Sequence, residues 1–144
     1  MAHLKQLAPV APHVLAAFKA RSDDIIRAVV AQALTHTEQV AGHGDQAERL
    51  LTAGLRYTAL GLQTAIFLHN TTLLDWQLAW AADRLGHDGV QPEHILTRLH
   101  IYAAVVEQFL TADDALAINQ YVHWMIAKQT ELMAKAESRA ANQF

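Results

Sequence analysis

Cysteine is missing altogether from the 144 residues. Its absence excludes disulfides, thiolate metal sites, thiol nucleophiles and thioether-linked cofactors. Serine is nearly missing: Ser22 and Ser138 are the only two, and neither lies in a Gly-x-Ser-x-Gly elbow. No phosphate-binding glycine loop occurs. Basic runs are lacking, with 11 Lys and Arg against 14 Asp and Glu, so the charge footprint of a nucleic-acid binder is not there. The longest apolar region, Leu50 to Leu68, is broken by Arg56, Tyr57 and Gln63, and reads as a buried helix rather than a membrane span. The N-terminal run Leu7-Ala8-Pro9-Val10-Ala11-Pro12 is cut by two prolines and followed by His13, which makes a poor signal peptide. These absences point to a cytoplasmic chain that engages neither membrane nor nucleic acid.

Proline and glycine are scarce, at three and six, while 52% of residues are hydrophobic, alanine and leucine foremost. That composition favours helices, and the length suits one domain with a real core. Pro9 and Pro12 allow a helix to begin near residue 10 or 12. The stripe Val14, Leu15, Phe18, Ile25, Ile26, Val29, Val30, Ala33 and Leu34 keeps helical spacing. Ser22-Asp23-Asp24 resembles a fresh N-terminus, so the expectation is two helices broken near Arg21 or one bent helix. Thr37 to Asp45 reads as a loop. Gln46 to His69 is apolar almost all round, which predicts a helix in the centre of the domain. Its Gly54 and Gly61, seven apart, mark a close approach to the backbone, by a neighbouring helix in the favoured reading or by a ligand.

A tight corner follows. Thr71 or Thr72 can cap a helix over Leu73 to Leu85, Gly86 and Gly89 stop it, and Pro92 opens the next helix, which runs to about Leu110. Thr111 can cap the last helix, which continues to about Ser138. Its Ala115, Ile118, Val122, Met125, Leu132 and Ala136 recur in alternating three- and four-residue steps, the spacing of a helix that pairs with a second copy. Residues 1–9 and 140–144 read as flexible ends.

Nine histidines invite a metal or haem reading. A helical metal site needs ligands three or four residues apart, and neither His-x-x-x-His nor Glu-x-x-His occurs. No metal site is therefore expected. Haem needs one histidine in the right place, and His69, His100 and His123 sit near apolar helical faces. Asp23-Asp24 and Asp113-Asp114 fall at expected helix starts, where acids complement the dipole, so they are not a catalytic pair. The aromatic set could instead line a pocket for a flat or apolar ligand. Its candidate walls are Tyr57, His69, Trp76, Trp80, His100 and Tyr102.

The run Leu68-His69-Asn70-Thr71-Thr72-Leu73-Leu74-Asp75-Trp76, then Trp80-Ala81-Ala82-Asp83-Arg84-Leu85, then Gly89-Val90 and Pro92-Glu93-His94-Ile95-Leu96, resembles the all-helical modules that precede output domains in bacterial sensory proteins. These are the non-haem globin-like domains of stressosome regulators and the helical segments beside cobalamin-binding domains. The resemblance covers roughly Gln46 to Leu132 and includes no catalytic motif. It implies a single all-α domain, a globin-like bundle of five to six helices with a long C-terminal helix. It also implies a non-enzymatic sensory or interaction role and a homodimer through the last helix. No output domain follows the helices, so the expectation is a free-standing relay, a ligand binder or a signalling partner in trans. The same architecture includes phycobilisome proteins and haem globins. The missing cysteine argues against an attached bilin, and haem stands as the alternative ligand.

Overall fold

A computed structural model describes residues 7–40, 44–87 and 90–142. It is all-α, with five helices and a single helical turn. They are α1 (Pro12–Ala33), the turn α2 (Thr37–Val40), α3 (Ala47–Leu68), α4 (Thr72–His87), α5 (Pro92–Phe109) and the long α6 (Ala112–Asn142). A 3-10 turn, Gly44–Gln46, leads into α3. None of the described helices is long and apolar enough to cross a membrane.

Of the two expected alternatives, a break near Arg21 or one bent helix, the break does not occur: α1 is a single helix. Ser22 is buried and meets Gln63 Nε2 at 3.3 Å, so it serves the helix interface rather than a cap. Asp24 bonds Arg21 and Arg27, each one turn away, which settles it inside a helix. With Phe18, Ile25, Ile26 and Val29 on one buried stripe, burial overrides the local capping signal.

Helix α5 is the hub, packing against both α1 and α6. Pro92 stands in its first turn, and His94 Nδ1 accepts from the Gln91 N–H at 3.2 Å. In α6, Thr111 Oγ1 accepts from the Asp114 N–H at 3.2 Å, the cap expected there. Two buried amides tie α6 to α5: Asn119 donates to the Ala103 carbonyl at 3.0 Å and Gln129 to the Pro92 carbonyl at 3.3 Å. Ile118, Val122 and Met125, the ground for expecting a dimer through α6, are buried in the protomer's own core. Residues 140–142, expected in a flexible tail, continue the helix, because nothing after Thr111 breaks it and Ala140 and Ala141 favour it.

Helix α3 departs furthest from expectation. Leu51, Leu55, Ala59, Leu62, Ala65 and Ile66 are buried, while Leu50, Tyr57, Leu60, Phe67 and Leu68 are exposed. Its neighbours α1 and α4 cover only part of its circumference, so an apolar surround did not place it at the centre. It ends at His69, whose φ of 50° is left-handed, with the Asn70 N–H reaching the Ala65 carbonyl and the His69 N–H the Ile66 carbonyl. That pattern satisfies the last carbonyls and reverses the chain into α4. Asn70 Oδ1, rather than Thr71 or Thr72, accepts from the Thr72 N–H at 2.8 Å to start α4.

Candidate ligand pocket

The α3–α4 hairpin lies over α5 and α6, and a cavity of about 370 Å³ opens between them. That volume is within the range of small-molecule sites. Leu50, Ala53, Gly54, Leu55, Tyr57 and Thr58 come from α3; Gln77, Leu78, Trp80 and Ala81 come from α4. Ile95, Arg98 and Leu99 of α5 and Met125 of α6 complete the wall. The space exists partly because small residues stand where the helices separate. A Cβ on Gly54 would meet nothing within 4 Å.

Gly61, two turns along α3, does the opposite. A Cβ there would collide with the side-chain amide of Gln77. Gln77 is buried and its Nε2 donates to the Tyr57 carbonyl at 3.1 Å, locking α4 against α3. The two glycines thus differ: Gly61 admits a helix, while Gly54, exposed and among the lining residues, has open space beside it.

At the rim the Tyr57 and Trp80 rings stand 5.9 Å apart at 55°, within the range of tilted aromatic pairs. Both are about half exposed. Arg98 is the one charged side chain of the lining among the described residues. Its Nε donates to Gln39 Oε1, and Gln39, fully buried, donates in turn to the His94 carbonyl at 3.1 Å. Burial holds the Arg98 pKa below its ordinary value. An arginine nonetheless stays charged at neutral pH, because its unperturbed pKa is so high.

The structure brings two of the six candidate wall residues, Tyr57 and Trp80, together at the pocket. Trp76 is 75% exposed on the outer side of α4. His69 ends α3 and bonds the Leu7 carbonyl through Nε2 at 2.7 Å. His100 is exposed on α5. Tyr102 is fully buried in the core, where desolvation raises its pKa, as it does that of Tyr121. No histidine among the described residues lines the cavity, and the three named for haem (His69, His100 and His123) lie outside it. Among the described residues, no group of three His, Asp or Glu could hold a metal ion.

Arg98 is the charged lining residue that the sequence reading did not name. Its signal was visible: Ile95, Arg98, Leu99 and Tyr102 follow the i, i+3, i+4, i+7 stripe of α5, so a cation stands on a core-facing row. Comparison with known protein families, characterised proteins and solved structures finds no match.

Proposed function

We propose that this chain is a non-enzymatic, globin-like sensory domain that takes up a small apolar ligand in the α3–α4–α5–α6 pocket. The observation that carries the reading is the cavity itself: preformed, walled by leucine, isoleucine, methionine and aromatic side chains, with few polar groups. Among the described residues, the wall offers no nucleophile–base pair and no carboxylate, which weighs against chemistry at this place. A helical hairpin covering two long helices is compatible with a globin-like arrangement, and the sequence resemblance of the corner points the same way. The position of Tyr57 and Trp80, which belong both to the pocket and to the outer surface, supports a sensory role. A ligand touching them alters a face that another protein can read.

The test is a titration with the neutral fluorescent probe N-phenyl-1-naphthylamine. One saturable site per chain is expected. Gly54→Leu, which places a side chain in open space, should weaken binding about tenfold or more without loss of helicity. Absence of saturable binding by the wild-type chain would overturn the reading.

A further inference from the structure

We propose that the ligand of this pocket is an amphipathic monoanion: an apolar body that fills the cavity and a carboxylate, or like oxyanion, that meets Arg98. The inference rests on the ligand-binding reading above and names the chemical class.

Three observations carry it. First, among the described residues the wall holds one charge, and it is positive. A partly buried guanidinium is costly unless an anion or hydrogen-bond acceptors compensate it. No carboxylate among the described residues pairs with Arg98; its one hydrogen-bond partner is the neutral Gln39. Second, that partner occupies Nε and leaves the Nη1 and Nη2 hydrogens without an acceptor among the described residues. Two parallel N–H groups in a rigid plane match the two oxygens of a carboxylate. Third, the guanidinium is held before any ligand arrives. Gln39 is itself fixed by burial and by the His94 carbonyl, so little side-chain freedom remains to be lost on binding.

The charge count selects a monoanion. A phosphate dianion would bring two negative charges to a wall with one cation, leaving one uncompensated. A neutral ligand would leave the Nη hydrogens without an anionic acceptor, and a cationic one would be repelled.

The experiment displaces N-phenyl-1-naphthylamine from the full chain with decanoate, decanol and decylamine at neutral pH, each kept below its aggregation concentration. Decanoate should compete about tenfold more strongly than decanol, with decylamine weakest. In Arg98→Gln the decanoate preference should vanish while probe and decanol affinities persist. Decanoate binding should also fall in Gly54→Leu, which separates the pocket from the exposed apolar face. Decanol matching decanoate in the wild type would overturn the anion assignment and leave the pocket reading standing. So would a preference that survives Arg98→Gln, or decanoate binding that ignores Gly54→Leu. Should Arg98→Gln fail to fold, the ranking of the three ligands on the wild type decides alone. Failure of the neutral probe itself would remove both readings.

Discussion

At the scale of single residues, the two glycines of α3 are the sharpest test of the structure. Both sit mid-helix, where glycine is about 1 kcal/mol worse than alanine. Local propensity alone would have the same substitution help at both. The surroundings reverse one of them. At Gly54 a methyl enters open space, so Gly54→Ala should raise stability by about 0.5–1 kcal/mol. At Gly61 a methyl displaces the buried Gln77 amide and breaks its bond to the Tyr57 carbonyl. The loss of that bond and the repacking outweigh the helix gain, so Gly61→Ala should destabilise by about 1–2 kcal/mol. Denaturant unfolding of the two variants checks the opposite signs. Equal stabilisation would show that Gln77 is not packed on α3 as described.

At the scale of elements, α6 depends on how it begins. Thr111 Oγ1 accepts from the Asp114 N–H, and Asp113 and Asp114 add negative charge at the positive end of the dipole. Thr111→Ala should cost about 1 kcal/mol, while Thr111→Ser should retain most of the stability. Thermal melts of the two variants separate loss of the cap from loss of the methyl group. This cap was legible in the sequence because capping is local: a hydroxyl, a turn and two acids lie within four residues. The bounds of α5 were legible for the same reason, through Pro92. Ser22-Asp23-Asp24 carries the same local signature, yet it lies inside α1, because burial of Ile25 and Ile26 on a continuous stripe decided the matter. The pocket was less legible still. Tyr57 and Trp80 could be named as aromatic candidates, but a cavity depends on how far α3 and α4 stand from α5 and α6, and periodicity does not encode that distance. Arg98 went unnamed, although it is a charge on an apolar row.

At the scale of the whole molecule, the unresolved matter is the outer face of the α3–α4 hairpin. Leu60 and Phe67 are seven apart on α3, and Trp76 and Trp80 four apart on α4, so each pair shares a face. Phe67 and Trp76 are 76% and 75% exposed, with Leu68 and Leu73 between them in the chain. Together with Tyr57 these exposed side chains give the hairpin a largely apolar outer surface, the kind of feature that marks an interaction site. Arg56, four residues before Leu60, and Asp83, seven after Trp76, stand exposed on the same two faces with opposite signs. The expected dimer seam on α6 offers less, since Ile118, Val122 and Met125 already fill the protomer core. The expected outcome is self-association through α3 and α4 at micromolar concentration, read by sedimentation equilibrium. Phe67→Ser combined with Trp76→Ser should return the mass to that of one chain. Neither residue lines the cavity, so probe binding should persist in the double variant. A dimer that survives these substitutions would place the contact on α6 after all, and a monomeric wild type would leave the apolar face for a different protein.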